Sequence, residues 1–465
     1  MAALPSRLRS TRTAFGVALL ALASPAAAQT FAITGGMVAT GDGGEAAPGT
    51  VVIRNGRIVA AGPNVGVPAG ATIVDARGKW VTPGIVAGFS RLGLVEVDLS
   101  VDGSDDTSAN GPFSAAIDIV PAINPLASTI AVNRADGVTR ALVAPATGKN
   151  IFAGQGAVID TGADMNPITA ARRFQFVELG ESGAATAGGS RASAHVLFRN
   201  ALREAAQLGR YAVPIASSGT RQPEESLRNP NESRLYGSDA RRGEDVLLTR
   251  FDAAALVPVL NGRQYLLVHV ERASDILQVI ALKREFRSLK LVLVGASEGW
   301  TVADRIAAAG IPVIASAVND LPSSFEQLAA TQSNVGRMGA AGVKVSIGMI
   351  DDNDTRNLFE ERQYAGNLVA LRNVPGATGV SWGEALAMIT SRAAEAVGMG
   401  GEIGSLLPGR RADVVIWSGD PLEGASAAEM VYIDGVQQPL DTHQTRLRDR
   451  YRDLSRRDLP EAYRR

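Results

Sequence analysis

The sequence predicts an α/β protein in two parts: a closed barrel of alternating strands and helices, and a small β-sandwich assembled from both ends of the chain. Three observations carry this. Residues 31–79 and 403–436 both read as short strands joined by tight turns. The stretch between them alternates short apolar strands with helical segments. About eight such strand–helix units occupy roughly 300 residues, which suits a ring better than an open sheet, although spacing alone leaves the open sheet as the alternative.

Taken in order, the chain opens with Arg7, Arg9 and Arg12, an apolar run from Ala14 to Ala23, and small residues ending at Ala28. This is the form of a cleavable secretory signal, residues 1–28, and its apolar run is too short to span a bilayer. Cleavage would remove three Arg and no acid, leaving 43 basic residues against 47 acidic ones, a net charge of −4. That balance gives no reason to expect nucleic acid, and no second apolar run reaches membrane-spanning length. With no cysteine, disulfides, thiolate metal sites and cysteine nucleophiles are excluded.

The first β segment, residues 29–80, contains Asn55-Gly56 between VVIR and RIVAAG, the dipeptide of a two-residue hairpin whose central positions both need φ > 0. Residues 402–440 repeat the habit, with strands around Asp413–Trp417 and Met430–Ile433 and a turn at Asp434-Gly435. In residues 81–401 the strand-like runs include 139–146, 266–272, 289–295, 311–316 and 342–350, and the helical ones 274–286 and 301–310. Strand, helix and strand with short loops predict parallel βαβ units. From Phe174 to Gly262 the pattern is less regular: a helix over Ser190 to Leu208, then the polar segment 217–244, read as a surface loop or a lid. The tail, 441–465, carries eight Arg and five acids and reads as solvated.

The segment VTPGIVAGFSRLG (81–93) resembles the first-strand signature of amidohydrolases, in which Pro-Gly is followed by two apolar residues, an Asp and His-x-His. Residues 334–348 and 364–423, with the motif GSLLPGRRAD (404–413) followed by VVIW, resemble the last strands and closing sandwich of imidazolonepropionase-like members. The resemblance spans nearly the whole chain after residue 28. It implies a TIM (β/α)8 barrel with a composite β-sandwich, hydrolysis of carbon–nitrogen bonds other than ordinary peptide bonds, and zinc or another divalent ion at the C-terminal strand ends. The implied partner is a small-molecule substrate, and the implied compartment, with the signal, is the periplasm or outside the cell. Oligomeric state is not legible.

Residue by residue, the signature is depleted. The expected Asp is Ala87, the two expected His are Phe89 and Arg91, the sixth-strand His aligns with Gly295, and the last-strand Asp aligns with Ile350. His269, on LLVHVER, keeps the fifth-strand ligand position. Asp351 and Asp352 follow Ile350 at once, making Asp351 the candidate catalytic acid. Only His195 and His443 accompany His269, so an ordinary multi-histidine site cannot be assembled. An oxygen-rich site from His269, Glu271, Asp351 and Asp352, with Glu96 and Asp98 nearby, is conceivable. Glu271 would share the face of His269 only if the strand continued two residues further. The alternatives are a core histidine for His269, a turn or helix cap for Asp351 and Asp352, and a solvated loop for the acids at 96–106.

Two other classes compete with metal hydrolysis. Gly295-Ala-Ser297-Glu-Gly299 fits the G-x-S-x-G nucleophile elbow between a strand and a helix, with Asp351 and His443 as partners in the order of α/β-hydrolases. Alternatively the barrel is a metal-free binding or scaffold protein, in which Arg91 at the mouth pairs with a carboxylate of a ligand or of the protein itself.

Overall fold

The computed structural model describes residues 30–96, 104–107, 110–211, 247–350 and 357–452. The signal segment, Asp98, segment 217–244, and Asp351 and Asp352 lie outside them.

The small β domain is one bent sheet. Its first part is β1 (Thr30–Val38), β2 (Ala47–Arg54), β3 (Arg57–Gly62), β4 (Thr72–Asp75) and β5 (Trp80–Pro83); the late chain adds β14 (Val414–Trp417), β15 (Ala428–Ile433) and β16 (Val436–Gln437). The order is β16-β15-β14-β5-β1-β2-β3, with β4 also on β1. Asn55 and Gly56 take φ of 53° and 71°, the two left-handed positions that a type I′ turn demands. The two chain ends meet where β5 pairs antiparallel with β14. Buried Phe31, Ile33, Val51, Ile53, Val414 and Ile416 close the sheet over its own core.

The larger domain is an eight-stranded barrel: β6 (Ile85–Ser90), β7 (Val138–Val143), β8 (Phe152–Asp160), β9 (Ile168–Glu178), β10 (Tyr265–Val270), β11 (Lys290–Gly295), β12 (Val313–Ala315) and β13 (Val345–Ile347). Their spatial order follows the sequence from β6 to β13. The ring closes between its first and last strands, where Met349 N–H donates to the Phe89 carbonyl at 3.2 Å. The seam is tight: a Cβ on Gly88 would come within 2.4 Å of the Ile347 oxygen, and one on Gly348 within 2.8 Å of the Phe89 nitrogen.

The ring departs from the expected run of parallel units at one strand, since β8 runs antiparallel to both β7 and β9. Its last residue, Asp160, therefore lies at the N-terminal end of the barrel rather than at the mouth. The run 174–178, which looked irregular in sequence, is the end of the 11-residue strand β9.

The principal helices of the barrel domain are α1 (Ser128–Ala135), α2 (Glu181–Thr186), α3 (Arg191–Tyr211), α4 (Arg250–Leu260), α5 (Ala273–Glu285), α6 (Ala303–Ala309), α7 (Asn334–Ala340), α8 (Glu360–Ala370), α9 (Trp382–Met388) and α10 (Ser391–Ala396). The tail adds α11 (His443–Tyr451). Among the described residues no helix is long and apolar enough to cross a membrane. Inside the ring, Phe89, Phe174, Phe176, Leu267, Val294 and Ile314 pack with α10, Val397 and Met399. Arg173 donates to the Val397 and Gly398 carbonyls, which fixes this plug at the N-terminal end.

The two domains are locked by a buried charge cluster. Arg140 of β7 is fully buried and bonds Asp413 through two 2.9 Å contacts, Asp434 at 3.0 Å, Asp160 at 3.4 Å and Thr169 at 2.6 Å. The Asp that ends the GSLLPGRRAD motif is thus the counter-ion of a barrel arginine. Burial opposes the guanidinium's charge, but the surrounding carboxylates more than offset it and hold Arg140 firmly protonated.

Candidate functional site

The C-terminal strand ends form the mouth, and the polar chemistry there centres on β9, β10 and β11. His269 is the penultimate residue of β10, level with Glu178 of β9. Because the two side chains start one inter-strand spacing apart on the same face, they meet directly: His269 Nδ1 lies 2.8 and 2.7 Å from the two oxygens of Glu178. On its other side, Nε2 lies 3.0 Å from Glu271 Oε1. Glu271 follows the last strand residue by one position, yet its carboxylate still reaches the imidazole. The Ser297 N–H donates to Glu271 Oε2 at 2.7 Å, and the Gly180 N–H to Glu178 Oε1 at 2.7 Å.

All three side chains are largely buried, at 17%, 11% and 4% exposure for His269, Glu178 and Glu271. Burial pulls the imidazole toward neutrality, but the two carboxylates outweigh it and raise His269 well above its ordinary 6.5. Each ring nitrogen thus faces a carboxylate, an arrangement that favours the protonated imidazole.

A second tier surrounds this clamp. Glu326, on the loop after β12, accepts from the Glu181 N–H at 2.8 Å and from Arg191 Nη2 at 3.0 Å. Arg191 also reaches Asp275 at 3.0 Å, and Asp275 contacts His195 Nε2 at 3.1 Å. Burial pushes the Glu326 carboxyl up. Sequence reading missed Glu178 and Glu326. The first had a signal, an apolar run ending in an acid (FVELG, 176–180), which the irregular surroundings obscured; the second lies in a loop and had none.

Arg91 follows β6 at the mouth. Its guanidinium packs 5.9 Å over the Phe89 ring, with Nε 3.6 Å from Asp106 and Nη1 3.5 Å from the Ala144 carbonyl. Of the two expectations for Arg91, it is the pairing with a carboxylate of the protein itself that the geometry contains. Glu96 accepts from Asn124 rather than joining His269. Two small cavities lie at this end. One, of about 140 Å³, lies between Pro112, Lys149, Phe152 and Asp252; the other, of about 180 Å³, lies between Ser316, Asn319, Ile350 and Tyr364.

The nucleophile-elbow expectation is not met. Positive φ falls on Gly295 (88°) and Ala296 (54°), not on Ser297, whereas an elbow places the serine itself at the strained turn. The Ser297 hydroxyl is buried with no hydrogen-bond partner. His443 starts α11, in the tail that Arg134 and Ala163 hold through Pro439 and Gln438 at the opposite end of the barrel.

A barrel with its mouth at the C-terminal strand ends, joined to a sandwich made from both chain termini, is the architecture that the resemblance to amidohydrolases implied. The amidohydrolase family model matches residues 270–441. Across 397 residues the chain is 26% identical to the imidazolonepropionase of Acidiphilium cryptum (strain JF-5), covering 81% of this chain and 88% of that protein. It is 26% identical over 425 residues to the amidohydrolase tasK of Hapsidospora irregularis, and 29% identical over 266 residues to a dihydroorotase of Anaeromyxobacter dehalogenans (strain 2CP-C). These cover 84% and 54% of this chain, which spans only 40% and 56% of their lengths. The solved amidohydrolase of Thermotoga maritima MSB8 superposes with a TM-score of 0.72 at 23% identity, over 88% of this chain and 99% of that one. Residues 270–441 thus carry the amidohydrolase family pattern, and the chain as a whole shares the fold of a solved amidohydrolase.

The divalent ion that this family implies does not fit the described residues. Phe89, Gly295 and Ile350 offer no donor atom, and the Arg91 guanidinium is cationic. Both ring nitrogens of His269 are engaged by carboxylates. Among the described residues no three His, Asp or Glu side chains converge on a point that could hold an ion.

Proposed function

We propose that this protein is an exported hydrolase of the amidohydrolase superfamily that acts on carbon–nitrogen bonds other than ordinary peptide bonds, with small cyclic amides as the substrate class. The observation that carries the reading is the Glu178–His269–Glu271 cluster at the barrel mouth, where this fold collects its chemistry. It is supported by relatives named imidazolonepropionase and dihydroorotase. The test is ring opening of a panel of cyclic amides and imides, followed by mass spectrometry, for wild type and His269→Ala. Turnover lost in the variant supports the reading; a panel untouched by wild type rejects it. Export is tested by sequencing the N-terminus of the secreted protein, expected at Gln29.

A second reading, a binding barrel without hydrolysis, is favoured by the interior. The Phe89 and Phe176 rings pack at a tilt, 5.2 Å apart, where polar groups would be needed for an attacking water. In that case Arg91 exchanges Asp106 for the carboxylate of a small anionic ligand, and such ligands raise the melting temperature of wild type but not of Arg91→Ala.

A further inference from the structure

We propose that the triad Glu178–His269–Glu271 has taken over the space that the superfamily gives to a divalent ion, and that residue 295 is glycine because the Glu271 carboxylate fills the place of its side chain. The inference concerns what occupies the mouth and holds whether or not the barrel hydrolyses anything.

Position 295 ends β11, level with Val270, beside the imidazole of His269. A Cβ built there would lie 2.2 Å from Glu271 Oε1, 2.7 Å from its carboxyl carbon and 3.0 Å from His269 Cδ2. With φ at 88°, the backbone also disfavours any L side chain. A ligand-bearing side chain at 295 and the present position of Glu271 are therefore mutually exclusive.

Glu271 has little freedom to withdraw. Its two oxygens are tied separately, one to His269 Nε2 and one to the Ser297 N–H, and its side chain is 4% exposed. Glu178 is tied likewise to His269 and the Gly180 N–H. Metal coordination needs a free imidazole lone pair, whereas each nitrogen here is committed to a carboxylate. The first strand is consistent with this. Phe89, at a position where the family signature has a ligand, packs on Phe176, two residues before Glu178 on the same face of β9. The residues at 89, 271 and 295 form one set: Phe89 packs on Phe176 and offers no donor, and the carboxylate that engages His269 Nε2 requires the glycine.

The test uses the full chain purified without chelators. Metal content is measured by inductively coupled plasma mass spectrometry, and melting temperature is read with added zinc chloride and with EDTA. Expected are far less than one ion per chain and a melting temperature indifferent to both additions. About one ion per chain, with EDTA lowering the melting temperature, overturns the proposal. Gly295→Ala is then compared in wild type and in Glu271→Ala. Relief of the clash predicts that the drop in melting temperature shrinks by about half or more in the second background, the remainder being the cost of positive φ. An equal drop in both overturns the steric claim. Because neither readout involves turnover, failure of the proposed hydrolysis leaves this inference standing, and the reverse.

Discussion

Replacing Arg140 with Met would remove a fully buried cation from the junction between barrel and sandwich while keeping an unbranched side chain of similar reach. Five contacts disappear, two of them the 2.9 Å bidentate pair with Asp413, which is itself 3% exposed. Removing one partner of a buried pair leaves an uncompensated charge, at a cost of roughly 3–5 kcal/mol. For a chain of 465 residues, unfolding entropy near 2.1 cal/mol/K per residue makes about 1 kcal/mol per degree, so the apparent melting temperature should fall by about 3–5 °C. The control is Arg140→Met with Asp413→Leu. Removing the stranded carboxylate should recover a good part of the loss, although the 3.0 Å bond from the Asp434 N–H to Asp413 goes with it. Differential scanning calorimetry at pH 7.5 reads both variants. A single variant melting within about 1 °C of wild type, or a double variant melting below the single, would refute the reasoning.

Other predictions follow from buried titrating groups. Burial pushes Asp160 up to about 6 despite Arg140, so its stabilising contribution is complete below about pH 4 and lost as pH rises through 6. The stability of Asp160→Asn relative to wild type should therefore rise by on the order of 2 kcal/mol between pH 4 and 7.5 in urea titrations, and a flat difference refutes this. Glu361 of α8 is fully buried, and burial raises it well above 4.5 in spite of the Gly88 N–H beside it. It stays protonated near neutrality, so the melting temperature of Glu361→Gln relative to wild type should climb from pH 5 to 8; a constant offset sinks the idea. For His269, raised well above 6.5, the stabilising charge is complete below pH 6.5 and lost only as pH passes its folded value. Histidine-selective nitrogen NMR should accordingly find a doubly protonated ring at pH 7.5, and neutral-ring shifts there would contradict the clamp.

Much of the architecture was legible because it is written locally. Asn55-Gly56 and Asp434-Gly435 announce hairpins, since few residue pairs accept two positive φ values in succession. The alternation of apolar runs such as 289–295 with amphipathic stretches such as 301–310 announces a wound α/β core. Of the candidate site, His269 and the empty ligand positions at 89, 91 and 295 could be read by matching residues to a motif. Glu178 had only the weak signal of an apolar run ending in an acid, because its significance depends on which strand lies next to β10. The place of Asp160 at the N-terminal end of the barrel was not legible for the same reason: nothing local says that β8 runs antiparallel.

By itself, then, the sequence determined the strand and helix periods, the turn positions and the loss of donor atoms from the family signature, all properties of a residue and its near neighbours. The tertiary structure decided which charges meet. Arg140 finds Asp413 across 273 residues and His269 finds Glu178 across 91. Glu271 lodges in the space left at Gly295 because β10 and β11 lie in register. Contacts of that kind depend on strand register and ring closure. A shift of one residue turns every side chain to the opposite face, and no local pattern records which register the closed barrel adopts.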